Sequence, residues 1–548
     1  MEQLLGMESL VGLRSEIVPA PEKAGRKLSS SVIYQLYPAA FKPQRGERRD
    51  GENPPSTFAA IRQALKEQYF RSLGVDAIWM NPIFPSGGKD GGYDLTDFYH
   101  VDRQFGTEEE LRDLVTEAHS QGIQIYLDFV GNHTSDQHPW FQEARKSKDS
   151  PYHDYYIFHP PTNPEDPAHF PPNHRKVSAR ENADPIWTFE ETTGDYRLNS
   201  FSQHQVDLNW QNPLVQQEMK QVLQYWIRAF GIDGWRVDVA NYLSKPDMYY
   251  AKTHDPIPED LVNMNGENTL AYVKCIRNAL DEIDPAKSLI LEVAANADRE
   301  NVVPLEEIMR YCVALGPNTA PLLLPSLPMR EWVTNWDIQA FRDFFRTLQA
   351  LRKANPSITC ALSTSNHDTD IRMPSRLGSA RAAQLLMMLL TQPGFANVIL
   401  YGEEYGQESD FSLLQDMLVD PRIAQRTPMD WQKAYQQHLD PLSSVTMTRD
   451  LVTHKHEAIG EGHYQELALS GFEDKVLGYA VNQGPKQSSI MLHNFTNEVH
   501  HIPLPEQNRK GNGTGTIVAS TYKDHKSKGP VDLTHVTLRP FESVTLRI

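Results

Sequence analysis

The sequence predicts a (β/α)8 barrel that carries one inserted lid-like domain and ends in an antiparallel β-sandwich domain. Three observations lead there. Eight short apolar runs alternate with helix-length amphipathic segments in one continuous series; one long segment breaks the rhythm after the third run; and beyond about residue 462 the pattern becomes period-2, punctuated by Gly, Pro and Asn. A doubly wound sheet also alternates, but eight units in series favour closure.

Taken in order, "VIYQLYPAAF" from residue 32 precedes the helical "TFAAIRQALKEQYFRSLG", and "AIWMNPIF" precedes "TEEELRDLVTEAHSQG". The third run is "IQIYLDFV" (123–130), followed by the interruption and then the helical "NPLVQQEMKQVLQYWIRAFG". "GWRVDVA" is the fourth strand, "ENTLAYVKCIRNALDEIDP" its helix, and "SLILEVA" the fifth strand. A sixth strand is expected near "YCVALG", before the helix "DIQAFRDFFRTLQALRKAN". "CALSTSN", the helix "SARAAQLLMMLLTQPG" and "ANVILYG" complete the series. The barrel is thus expected over residues 1–130 and 207–461, with 1–30 an N-terminal extension, the inserted domain over 131–206 and the terminal β domain over 462–548. The insertion, rich in Pro, His, Asp and Tyr and without a clear helix, is too long for a plain loop and belongs at the C-terminal face.

Composition narrows the function. A chain of 548 residues needs two or three domains. The longest apolar runs, such as "LLMMLL", are too short to span a bilayer, and residues 1–30 lack a secretory h-region, so a cytoplasmic location is expected. Cys275, Cys312 and Cys360 suit buried free thiols in a reducing compartment, and the sequons at Asn132, Asn494 and Asn512 carry little weight without secretion. A net charge of −18 repels a phosphate backbone, so a neutral small molecule is the expected partner rather than nucleic acid. "GNGTGT" at 511–516 reads as a turn because no helix follows it, and "HKHE" at 454–457 reads as the solvated face of a surface helix rather than a metal cluster.

Chemistry is expected where strands end at the barrel mouth. The third strand ends in Asp128, Asn132 and His133; the fourth carries Arg236 and Asp238; the fifth ends in Glu292; the seventh runs into His367 and Asp368. Several carboxylates converging on one mouth suggest glycoside hydrolysis, which needs one ionised carboxylate and one protonated acid close together. Arg236 and Asp238 share a strand face, so the guanidinium would keep Asp238 ionised as nucleophile. Glu292, in the apolar run Leu289, Ile290, Leu291 and Val293, would have its pKa raised by desolvation and act as acid/base. Asp368 would hold sugar hydroxyls and stabilise developing positive charge.

"DFVGNH", "GWRVDVAN", the "LILE" strand and "SNHD", in this order and at these strand ends, resemble the conserved regions of the α-amylase family, glycoside hydrolase family 13. "GGYDLTDFYHVDRQFGT", "FSQHQVDLNW", "YGEEYG" and "RTPMDW" agree, so the resemblance covers about residues 30–460. It implies a retaining mechanism with Asp238, Glu292 and Asp368 as the catalytic carboxylates, and it places Tyr93, Asp94, His133, Arg236 and His367 around the reacting sugar. Within the family, the insertion "SDQHPWFQEARKSKDSPY" together with "QVDLNW" and "RTPMDW" resembles the branch of α-glucosidases, oligo-1,6-glucosidases, trehalose synthases and sucrose isomerases. In that branch Asp94 and an arginine such as Arg426 close the pocket beyond the terminal glucose, and Val239 resembles the form preferring α-1,6 links.

Three departures matter. The loop "AAFKPQRGERRDGENPPSTF" lacks the Asp-rich pattern that holds Ca²⁺ in many such glucosidases, so no metal or cofactor is expected. "TDIRMPSR" after "NHD" is one residue longer than usual, which leaves the place of Arg372 beside the sugar open. The segment before "RTPMDW" also diverges, on the acceptor side. The expected function is an α-glucosidase acting on short α-glucosidic oligosaccharides; a trehalose synthase-like or sucrose isomerase-like transglycosylase is the alternative of similar chemistry, and a non-catalytic partner protein of this fold the alternative of another class.

Overall fold

The computed structural model describes residues 27–41, 56–177, 183–293, 305–323, 333–369, 371–414, 420–482, 488–509, 513–522, 524 and 529–548. Eight parallel strands close into a barrel: β1 (Val32–Leu36), β2 (Ala77–Met80), β3 (Gln124–Phe129), β4 (Gly234–Val237), β5 (Ser288–Glu292), β6 (Thr319–Leu323), β7 (Ala361–Ser363) and β8 (Ala396–Leu400). Each pairs with its sequence neighbours, and β8 closes on β1 with Asn397 opposite Val32. Apart from half-buried Gln124, every residue of these strands is buried, which is why they read as near-continuous apolar runs.

The helices obey local signals. Thr107 and Glu110 form a reciprocal capping box at the start of Glu108–Ser120, whose first turn carries three glutamates. Asn212 caps Pro213–Phe230, which begins with its proline and stops at Gly231 in the left-handed region. The first predicted helix is divided into Thr57–Lys66 and Tyr69–Ser72 by Gln68 at φ 62°.

Two elements differ from expectation. "YCVALG" belongs to the helix Leu305–Leu315, with Tyr311 and Cys312 on its buried side, and the sixth strand follows Gly316 at Thr319–Leu323. Pro321, which cannot donate to a strand ladder, hid this strand in the sequence. Among its described residues the insertion holds the short α-helix Pro139–Ala144, besides the pair His133–Ser135 with Gln205–Asp207 and the three-stranded sheet of Phe158–His159, Asp195–Leu198 and Trp187–Glu190.

From His463 the chain forms a six-stranded antiparallel sheet, and the pair His500–Ile502 and Val536–Leu538 contributes Ile502, Val536 and Leu538 to a core that includes Val476, Ile490, Leu492, Val544 and Leu546. "HKHE" is not a solvated face: His454 and Lys455 are buried, His454 Nε2 lies 2.8 Å from Ser489 Oγ, and Lys455 Nζ donates to the Phe395 carbonyl at 2.8 Å. Cys312 and Cys360 are buried free thiols, whereas Cys275 is exposed. Among the described residues no helix is long and apolar enough to cross a membrane.

Candidate active site

The strand "GWRV" opens with Gly234 because a Cβ there would stand 2.7 Å from the Ser288 carbonyl and from the Tyr126 ring. Two residues on, Arg236 points into the barrel, fully buried. Its register sets its partners, with Asp128 of β3 on one side and Ile290 of β5 on the other. Nη1 donates to Asp128 Oδ1 at 2.6 Å and to Asp238 Oδ1 at 2.7 Å, while Nη2 lies 2.6 Å from Glu292 Oε2. The guanidinium also sits over the rings of Trp79 and Tyr93. Asp128 Oδ2 accepts from Trp79 Nε1, Asn81 Nδ2 and Tyr93 OH at 3.0–3.1 Å. One cation therefore holds three carboxylates, and Asp238 and Glu292 stand on the same side of the mouth.

This is a richer arrangement than the single Arg236–Asp238 pairing read from the sequence, and it changes the electrostatics. Burial pushes the Asp238 carboxyl well up, with Arg236 opposing and Glu292 adding to it. Glu292 is pushed up by the same burial, again against Arg236. Val239, directly after Asp238, is held at φ 37°, a left-handed conformation that a β-branched residue adopts only under constraint. In that conformation its N–H donates to Glu292 Oε2 at 3.0 Å. The strained peptide after Asp238 thus holds the Glu292 carboxylate beside it.

The loop after β7 supplies His367 and Asp368. Gln35 Nε2 and Asn81 Nδ2 approach His367 Nδ1 at 2.8 and 3.3 Å, so Nδ1 accepts and the ring proton sits on Nε2. Nε2 is 3.1 Å from Asp368 Oδ2. Burial lowers the His367 pKa well below its ordinary value, keeping the ring neutral, and Tyr93 stacks on it at 5.1 Å. Asp368 Oδ1 accepts from Arg422 Nη1 at 3.0 Å and Arg426 Nη2 at 2.9 Å. Desolvation pulls its pKa upward, but His367, Arg422 and Arg426 together hold it below the usual carboxylate range.

These groups border a cavity of about 230 Å³ lined by Asp90, Tyr93, His133, Phe201, Gln205, Asp238, Val239, Glu292, Asp368 and Arg422. Of the residues expected from the sequence, Asp238, Glu292, Asp368, Tyr93 and His133 line it, and Arg236, His367 and Arg426 stand directly behind. His133 is positioned from the inserted segment, its Nε2 3.1 Å from both the Tyr93 carbonyl and Gln205 Nε2.

Asp94 and Arg372 lie elsewhere. Asp94 is fully buried and accepts from the Lys89 and Asp90 N–H groups, shaping the loop rather than facing the cavity. Arg372 is fully buried against the Tyr401 and Gln425 carbonyls. In the cavity wall stand instead Asp90 and Arg422, Arg422 Nη2 donating to Asp90 Oδ1 at 2.5 Å. Both went unread in the sequence. The signal for Asp90 is the "GG" after it, because Gly91 and Gly92 at positive φ reverse the chain and turn Asp90 inward. That for Arg422 is Asp420–Pro421, which caps a short turn and bonds the arginine.

The loop over 42–55, where Ca²⁺ ligands were expected to be missing, lies outside the described residues, and among the described residues no three His, Cys, Asp or Glu side chains are grouped to hold a metal ion.

Comparison with known proteins gives a consistent result. Residues 35–440 match the model of the alpha amylase catalytic domain. The chain is 31% identical to the oligo-1,6-glucosidase of Halalkalibacterium halodurans over 398 residues, which are 69% of this chain and 65% of that protein. It is 40% identical to the oligo-1,6-glucosidase of Parageobacillus thermoglucosidasius over 216 residues, 39% of this chain and 35% of that protein. With the α-glucosidase of Apis mellifera it shares 31% identity over 444 residues, 75% of this chain and 71% of that protein. The matches therefore span about two-thirds, or only about a third, of the length of the two oligo-1,6-glucosidases. Among solved structures, the trehalose-6-phosphate hydrolase of Bacillus licheniformis superposes with a TM-score of 0.74 at 22% identity, covering 95% of this chain and 100% of that one. The trehalulose synthase of Pseudomonas mesoacidophila gives 0.74 at 22% identity over 95% and 99%; both share the fold.

Proposed function

The chain belongs to the α-amylase family, and from that premise we propose that it is a retaining α-glucosidase, hydrolysing short α-glucosidic oligosaccharides or disaccharides from the non-reducing end. The observation that carries this reading is the single guanidinium of Arg236 in reach of both Asp238 and Glu292 at the wall of the cavity. The Asp90–Arg422 pair supports exo action, because its two side chains join across part of the cavity wall.

In this mechanism the Asp238–Glu292 pair carries one proton, in keeping with burial that raises both carboxyls and with Glu292 raising Asp238 further. Arg236 reaches both carboxylates, and the retaining reading assigns the proton to Glu292 and the charge to Asp238 once the sugar is bound. Asp238 bonds to the anomeric carbon as Glu292 protonates the glycosidic oxygen, and the carbon–oxygen bond breaks with its electron pair on the leaving alcohol. Glu292, now ionised, takes a proton from water as that water attacks the same carbon and frees Asp238. Asp368 and neutral His367 hold ring hydroxyls, the carboxylate also stabilising the oxocarbenium-like charge.

Proton NMR of the protein with maltose, isomaltose, sucrose and trehalose tests the reading. Free glucose released first as the α-anomer is expected; conversion of one disaccharide into another, or initial release of the β-anomer, overturns it.

A further inference from the structure

We propose that Arg372 is a positioning residue that braces the loop after β7 to the loop after β8 and so fixes Asp368 against Arg422 and Arg426. The two loops carry opposite charges into the site: Asp368 belongs to the first, Arg422 and Arg426 to the second. Their ion pairs at 2.9–3.0 Å hold only if the backbones beneath do not shift.

Beneath them the loops are cross-linked by side chains sent in both directions. Arg372 of the first loop donates through Nη1 to the Tyr401 carbonyl at 2.7 Å and through Nε to the Gln425 carbonyl at 3.0 Å. Gln425 is the residue before Arg426, so this second bond acts one peptide from a partner of Asp368. Thr369, next to Asp368, donates to Gln425 Oε1 at 2.8 Å. In the other direction Glu403 accepts from Thr364 Oγ1 at 2.7 Å and from Ser365 Oγ. The Arg372 backbone N–H donates to Ser409 Oγ at 2.9 Å.

A buried guanidinium is costly unless its donors are used. Among the described residues no carboxylate lies within ion-pair distance of Arg372, and its face packs on the Tyr401 ring at 4.6 Å. Nε and Nη1 are spent on two carbonyls from separate stretches of one loop, while Nη2 is left without a hydrogen-bond partner among the described residues and the charge acts on the buried Glu403 and Glu404, a task for the rigid fork of arginine and not for the point charge of lysine. This accounts for an arginine whose place beside the sugar the sequence left open and that the structure buries against the Tyr401 and Gln425 carbonyls.

The proposal rests on the reading of Asp368 as a group that touches the sugar. Its test measures Arg372→Lys, Thr369→Val and Asp368→Asn on an aryl α-glucoside. Competent sites are counted with a fluorinated glucosyl fluoride that traps the glucosyl-enzyme, and thermal midpoints are recorded alongside. Arg372→Lys is expected to lower kcat per competent site by about 10- to 100-fold with KM changing less than about threefold. Thr369→Val, which removes the hydroxyl that lies 2.8 Å from Gln425 Oε1 and 2.7 Å from the Asn366 carbonyl, is expected to give a smaller loss in the same direction. Wild-type kcat per competent site in both variants, or a loss carried by KM or by thermal midpoint alone, overturns the brace while leaving Asp368 in its role. Wild-type turnover by Asp368→Asn overturns that role, and the brace with it.

Discussion

The two ends of the barrel each bury a charged cluster, built on opposite arithmetic. At the mouth one cation, Arg236, serves three carboxylates, Asp128, Asp238 and Glu292. At the opposite end one carboxylate, Asp233, serves two basic side chains: His119 Nε2 at 2.7 Å and Lys287 Nζ at 3.2 Å, with the Ile125 N–H at 3.0 Å as well. Burial pulls the Asp233 pKa upward, yet these partners bring it below its ordinary value, whereas burial leaves Asp238 and Glu292 raised. The lower cluster is satisfied and ties β4 to its neighbours. The upper one is short of positive charge and stores strain at Val239, and a site that must move protons requires that imbalance.

Substitution should expose this division. The largest effect is expected from Asp238→Asn, which should reduce turnover of an aryl α-glucoside by at least about 10⁴-fold while leaving the thermal midpoint equal or higher, since it removes a repelled carboxylate. Asp233→Asn should do the reverse, costing about 3–5 kcal/mol of stability by leaving buried basic groups under-paired, with kcat per folded molecule preserved. Chemical denaturation and steady-state kinetics on both variants check this; a stability loss at Asp238 equal to that at Asp233 would break the contrast.

The pH dependence should separate the ends by sign. Asp233, with its folded pKa lowered, contributes stability that is present above the ordinary Asp pKa of about 4 and lost as pH falls through the lower folded value. Asp238 and Glu292, with folded pKa raised, contribute stability that is present below the ordinary value and lost as pH rises through the folded one. Asp233→Asn should therefore flatten the acid side of a stability–pH curve and Glu292→Gln the side toward neutrality. The smallest effect is expected from Val239→Gly: relief of the left-handed strain by about 1 kcal/mol, offset in part by chain entropy, with a lower kcat as the N–H bond to Glu292 loosens.

Much of this was legible in the sequence because it depends on strand ends. Gly234 and Arg236 fall on one strand that Asp238 directly follows, and period-2 alternation assigns their faces; Glu292, His367 and Asp368 lie in or after apolar runs. The sixth strand was misplaced because Pro321 interrupts its pattern while Tyr311 and Cys312 imitate a strand on a buried helix face. Asp90 and Arg422 were hidden because their direction is set by turns rather than by a period, so neighbouring Asp94 and Arg426 were read as the pair closing the pocket. The sharing of Arg236 among three carboxylates needs the lateral register of β3, β4 and β5, which a single strand cannot disclose.

The central claim is that Asp238 and Glu292 act on one glycosidic bond, the first by bonding to the sugar. Trapping with 5-fluoro-α-glucosyl fluoride, followed by proteolysis and mass spectrometry, tests it most directly. A single glucosyl adduct on Asp238 within "GWRVDVANY" is the predicted result. An adduct on another residue, or hydrolysis of natural substrate with no trappable intermediate, would contradict it.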